Sequence, residues 1–233
     1  MPEVTISHHL EVYGNPSTGK TTIARLIAEL YHALGILSKG HLVETDRSGL
    51  VAGYVGQTAL RVQEVVNKAL GGILFIDEAY ALSGKDGQDF GAEAVETLLK
   101  FMEDHREDLA VIVAGYTDKM NAFLTSNPGL KSRFNTYLRF DDYKPDQLSS
   151  IFSTFCHHAG YTLSTETQSK IEQFFTNEYN RRDLTFGNAR LARNTFERAI
   201  NEQANWIVGL AEVNQALLAA IEPADIPDAA AGL

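Results

Sequence analysis

The chain has 233 residues, 20 of them basic and 30 acidic, for a formal net charge of −10, and 44% of it is hydrophobic. That length suits one large domain or two modest ones with a real core, and the acidic balance argues against a broad nucleic-acid footprint, which needs a basic face. No apolar run reaches the ~18 residues of a membrane span, the first residues lack a signal-peptide pattern, and the single cysteine, Cys156, has no internal disulfide partner, so a reducing, cytoplasmic setting with no membrane partner is expected.

Short apolar runs alternate with longer helical patterns. "HLEVYG" reads as a strand running into a glycine loop. "KTTIARLIAELYHALG" reads as a helix with Ile23, Leu26, Ile27, Leu30 and Leu34 on one face and Gly35 at its end. "HLVETD" is a second strand and "ALRVQEVVNKALGG" a helix stopped by glycine. "ILFIDE" is a continuous apolar run, as a strand covered on both faces should be. A helix over "GAEAVETLLKFMEDH", a strand over "LAVIVAGY" and a short strand over "YLRF" follow. This alternation predicts an α/β domain with a parallel sheet between layers of helices. From Pro145 onward only helical patterns remain, with Pro145 suited to a first helical turn and Gly160 to a helix end. The expected organisation is an α/β core over residues 1–143 and a small all-helical domain with a C-terminal tail over 144–233.

Gly14, Gly19, Lys20 and Thr21 fit the phosphate-loop pattern G-x-x-x-x-G-K-[ST], between a predicted strand and a predicted helix. The backbone N–H groups from Ser17 to Lys20 can point into one concavity, which the positive end of the helix dipole also faces. The expected nucleotide cradle is Gly14, Asn15, Pro16, Ser17, Thr18, Gly19, Lys20, Thr21 and Thr22. Lys20 supplies a cation for the outer phosphates and Thr21 a hydroxyl for Mg²⁺. The second element is "GGILFIDEAYAL", which puts Asp77 and Glu78 at the carboxyl end of a buried strand, where open α/β sheets bind ligands. Asp77 suits Mg²⁺ through water, and Glu78 suits the general base that polarises the attacking water.

On these residues the sequence resembles an AAA+ ATPase, and within that superfamily the group of red-type Rubisco activase (CbbX/CfxQ) and the sporulation protein SpoVK. The resemblance runs through "VAGYVGQTA", "GGILFIDEAYAL", "VIVAGYTDKM", "NPGLKSRF" and "FGNARLARNTFERA". It implies a P-loop sheet followed by a helical lid, with ATP and Mg²⁺ bound between the copies of a homo-hexamer. It further implies that Arg133 is an arginine finger reaching a neighbouring copy's site and that Arg190 is a sensor reaching the nucleotide from the lid. Arg193, one turn on, shares that role or faces a neighbour. Tyr54, flanked by Gly53 and Gly56, matches a pore loop that grips a polypeptide. The implied partner is a protein client, red-type Rubisco if the nearest resemblance holds.

Three features depart from the pattern. Ser17 stands where glycine is usual, and a side chain there crowds the phosphates if the backbone needs positive φ. The strand "LAVIVAGYT" lacks a polar sensor Asn, leaving Thr117 as the nearest water-positioning group. The first strand starts near Leu10, so the helical segment that helps enclose adenine in the family is expected to be missing. "KDGQD" reads as a turn near a second pore loop, and "DFG" and the two His-His pairs lack the partners that a kinase or zinc site needs. The alternative to a working motor is a nucleotide-binding switch or adaptor with little turnover.

Overall fold

A computed structural model of the chain describes residues 8–54, 56–83, 90–210 and 212–228. "KDGQD" lies outside the described residues. The chain divides into two compact units. One takes in the residues up to Gly14 and Gly19–Phe140; the other takes in Asn15–Thr18 and the chain from Asp141 onward.

The first unit begins with β1 (Leu10–Gly14), α1 (Lys20–Ala33), β2 (Leu42–Thr45), α2 (Arg47–Leu50) and α3 (Gln57–Ala69). It continues with β3 (Ile73–Ile76), α4 (Gly91–Asp104), β4 (Ala110–Gly115), α5 (Thr117–Thr125), α6 (Pro128–Arg133) and β5 (Thr136–Phe140). The strands form one parallel sheet in the order β2-β3-β4-β1-β5. The two central strands β3 and β4 are buried at every residue, which is why both read as unbroken apolar runs. Their side chains still alternate between faces. Leu74, Ile76, Val111 and Val113 join a core with Val62, Val66, Leu98 and Phe123. Ile73, Phe75, Ile112 and Ala114 join the opposite core with Ala24 and Ala28 of α1.

The face expected of α1 needs correction. Ala24 and Ala28 are its fully buried residues, with Ile27 and Tyr31 packed against the same core. Leu26, Leu30 and Leu34 are more than half exposed. Two alanines on one side let the helix backbone approach the sheet closely, and that approach outweighs the larger leucine stripe on the far side.

His9, just before β1, is buried, and its Nδ1 accepts the N–H of Val111 at 3.0 Å. Burial, reinforced by the Arg133 charge, lowers its pKa from 6.5 to about 4. The unfolded chain therefore takes up this proton before the folded one does. Stability carried by neutral His9 is complete above pH 6.5 and is lost as the pH falls toward 4. Between those limits the loss should reach roughly 3 kcal/mol. Urea unfolding of the wild type and of His9→Asn at pH 7 and pH 4 checks this: the wild type should lose that much more than the variant.

The second unit holds α7 (Pro145–His158), β6 (Thr162–Leu163), α8 (Thr165–Asn180), α9 (Ala189–Ile207), α10 (Gln215–Ala219) and β7 (Ala220–Ile221). Phe152, Phe174, Phe175, Ile171 and Leu191 centre its core, and Cys156 is buried among them. Pro145 opens α7 and Gly160 follows its end at φ +80°, both as expected. The expectation of an all-helical domain needs correction, because this unit also carries a two-residue parallel ladder, β6 against β7. Thr167 donates to the Ile221 carbonyl at 3.0 Å and the buried Gln203 amide to the Ala220 carbonyl, so side chains satisfy both carbonyls of β7.

Candidate functional site

Because every strand of the sheet is parallel, the residues after β1, β2, β3 and β4 emerge at the same edge. At the end of β1, Gly14 meets Phe140 so closely that a Cβ would lie 2.3 Å from the Phe140 carbonyl oxygen. Gly19 then turns the chain into α1 at φ +96°, and no side chain caps that helix. The amides of its first turn thus face outward with the helix dipole behind them, the arrangement that takes an anion. Lys20 donates from Nζ to the Gly14 carbonyl at 3.0 Å. Burial pushes the Lys20 pKa down, against the opposing charges of Asp77 and Glu78. Lys20, Asp77 and Glu78 are therefore within electrostatic reach of one another. Thr21 is half-buried and Thr22 exposed on the same turn.

Asp77 follows β3, with its N–H on the Thr45 carbonyl at 2.8 Å. Its Oδ1 accepts the Glu78 N–H at 2.9 Å. Both carboxylates are exposed, and Glu78 has a left-handed backbone, φ +48° and ψ +40°. Tyr80, two residues on, packs against Tyr116 with the Lys119 ammonium 4.6 Å from its ring centre. Burial, then the Glu78 charge and a hydrogen bond to Glu78, push the Tyr80 phenol pKa up. An open groove of about 530 Å³ lies beside the pair, lined by Glu44, Thr45, Asp46 and Ser48 among others. Among the described residues no group of three His, Cys, Asp or Glu side chains is placed to hold a metal ion.

The remaining loop residues belong to the second unit. Asn15 donates from Nδ2 to Asp142 Oδ1 at 2.9 Å. The Ser17 carbonyl accepts the Ala189 N–H at 3.2 Å, and the Thr18 carbonyl accepts the Tyr143 hydroxyl at 3.0 Å. Pro16 is half-buried between Asn15 and Ser17. Ser17 has φ +55°, so its backbone does take the positive φ that glycine would adopt freely. Ser17→Gly should stabilise the chain by about 1 kcal/mol, read as a rise in Tm of about 2–4 °C. A fall in Tm would mean that the Ser17 side chain itself holds the loop.

Arg190 sits on the first turn of α9, exposed, immediately after the residue that binds the Ser17 carbonyl. Arg193 instead lies over the Phe155 ring, 5.5 Å from its centre, within its own unit. Arg133 ends α6 and pairs with Glu103 of α4 at 3.0 Å. The other Glu103 oxygen takes Arg106 at 2.9 Å. Tyr54 lies between α2 and α3 and is 74% exposed. Thr117 is the exposed first residue of α5. Sequence reading missed Tyr80, Glu103, Asp142, Tyr143 and Asn188. Tyr80 and Asn188 lie inside quoted motifs and Glu103 inside a quoted helix, while Asp142 and Tyr143 fall between the last predicted strand and Pro145.

The chain matches the family model described as ATPase family associated with various cellular activities (AAA) over residues 10–142, and the AAA lid domain model over residues 144–232. Stage V sporulation protein K of Bacillus subtilis is 44% identical over 84% of this chain and 61% of its own length. The chloroplastic ribulose bisphosphate carboxylase/oxygenase activase of Cyanidioschyzon merolae is 44% identical over 85% of this chain and 68% of its own. Protein CfxQ of Xanthobacter flavus is 44% identical over 82% of this chain and 60% of its own, so the chain spans about three fifths of two of these relatives. Among solved structures, the FIGL-1 AAA domain aligns with TM-score 0.67 at 16% identity, covering 96% of this chain and 72% of that one. A RuvB mutant from Thermotoga maritima aligns with TM-score 0.61 at 19% identity, covering 90% and 60%. At these identities the two structures support the fold alone.

Proposed function

Because the chain belongs to the AAA family of ATPases and carries its lid domain, we propose that it hydrolyses ATP and uses the cycle to remodel a protein partner. The observation that carries this reading is the common placement of an uncapped helix start, Lys20 and the Asp77–Glu78 pair at one sheet edge. In this reading the amides from Ser17 to Thr22 and the Lys20 ammonium hold the phosphates, and Gly14 and Gly19 let the backbone turn around them. Thr21 and Asp77 would hold Mg²⁺, which when bound neutralises charge on the outer phosphates. Glu78 takes a proton from the attacking water as the water oxygen bonds to the terminal phosphorus and the bond from that phosphorus to the bridging oxygen breaks, releasing ADP and phosphate. Arg190, on the first turn of α9, is the nucleotide sensor in this reading.

Arg133 serves the site of a neighbouring copy, in a ring of identical chains. To do so its guanidinium exchanges Glu103 for the phosphoryl oxygens. The exchange is cheap, because a partly exposed ion pair is worth at most ~1 kcal/mol. Tyr54 lines the channel of that ring and contacts the client. The names of the relatives make Rubisco the first client to try. A nucleotide-binding switch with little turnover is the second reading, favoured by the left-handed backbone of Ser17.

ATP turnover per chain, measured as chain concentration rises, tests the proposal. A shared site gives turnover that climbs with concentration until the ring is complete. Turnover that stays at zero while ATP binds would select the switch, and turnover that is constant per chain would remove Arg133 from a neighbour's site.

A further inference from the structure

We propose that Asp142 and Asn188 are positioning residues for the phosphate loop, setting the backbone of Asn15–Thr18 from the segment before α7 and from the start of α9. The inference rests on the reading of that loop as the ATP site. Asp142 Oδ1 accepts two amides at once, from Asn15 Nδ2 at 2.9 Å and from Asn188 Nδ2 at 2.8 Å. Its Oδ2 lies 3.6 Å from Arg182 Nε. Asn188 is fully buried. Its second amide hydrogen goes to the Phe186 carbonyl at 3.1 Å, and its Oδ1 accepts the Tyr143 N–H at 2.9 Å. Both hydrogens of the Asn188 amide and its oxygen are thus engaged, so the group has one orientation. A flipped amide would set its NH₂ against the Tyr143 N–H.

The same segments also bond to the loop's backbone. Tyr143, whose N–H is held by Asn188, donates its hydroxyl to the Thr18 carbonyl. Ala189, which follows Asn188, donates its N–H to the Ser17 carbonyl. Ser17 and Asn188 are two of the three non-glycine residues with positive φ among the described residues, and this bond joins their segments. Asn188 has φ +50° and ψ −125°, a conformation that favours glycine. Such strain persists where surrounding bonds over-determine it. Here side-chain bonds to Asp142, Phe186 and Tyr143 hold Asn188, and through Ala189 and Tyr143 they hold Ser17 and Thr18. The shape of the loop is therefore set by residues more than 120 positions away in sequence.

Two variants remove the network by different routes. Asn188→Gly keeps a permitted backbone and deletes the amide, and Asp142→Ala deletes the shared acceptor. In the nucleotide-free chain, amide exchange over residues 13–22 should quicken in both, while α7 and α8 keep their protection. ATPγS affinity by calorimetry should fall about tenfold. Turnover at saturating ATP should stay within about threefold, because the network acts on loop shape and not on the reacting atoms. Unchanged exchange and affinity in both variants would overturn the proposal, as would a general loss of protection across α7 and α8 in both. A wild-type chain that fails to bind ATPγS would refute the site reading, and the exchange measurement would still decide the positioning role.

Discussion

Glu78→Gln is expected to keep ATP bound and to lower its hydrolysis by about 10²–10⁴-fold, the usual contribution of a positioned general base. The substitution is nearly isosteric. Glu78 is exposed at the end of β3 and its left-handed backbone can be kept by Gln, so folding should be unaffected. Under the proposed function, what the substitution removes is proton acceptance, since an amide cannot take the proton of the attacking water. Binding should persist because Lys20 and the first turn of α1 are untouched. Equilibrium binding of ATPγS beside steady-state phosphate release separates the two effects. Turnover equal to wild type would remove Glu78 as the base and direct attention to another group at the same sheet edge.

The second large effect is expected at Arg133. Arg133→Ala should lower turnover by about 10³–10⁵-fold, the range for a cationic finger that stabilises charge on the transferred phosphoryl group. The loss of its pair with Glu103 should itself matter little, since both side chains are partly exposed at 27% and 54%. The finger role has a signature that a structural role lacks. Mixing Arg133→Ala chains with Glu78→Gln chains should restore part of the activity. Some mixed interfaces then combine an intact Glu78 from one copy with an intact Arg133 from the next. If each variant alone is dead and the mixture is equally dead, Arg133 does not act in a neighbour's site.

The legibility of this molecule follows the range of its interactions. β3 and β4 could be read because burial on both faces leaves an all-apolar run, a signal contained in a few consecutive residues. The turn from Gly14 to Lys20 could be read because its backbone conformations and charges demand particular residue types at fixed spacing. Helices α5 and α6 carried no such signal. Each is too short to show a repeating apolar face. The ladder of β6 and β7 joins residues 58 positions apart and has two residues per strand, too few for any pattern. In α1 the local pattern misled, because periodicity reports where apolar residues recur and not which side can approach a sheet. Ala24 and Ala28 settled that by their small size.

The sequence by itself therefore determined the strand–loop–helix start, the acid pair, the parallel sheet and the helical lid, since each is written in neighbouring residues. Only the tertiary structure decided which groups hold those parts in shape. Glu103 on Arg133, Tyr80 beside Glu78, and Asp142 with Asn188 beneath the phosphate loop are unremarkable as isolated residues. Folding gives them meaning: a carboxylate or an amide acquires a role only from the partner brought within ~3 Å of it, and that partner lies up to 127 positions away.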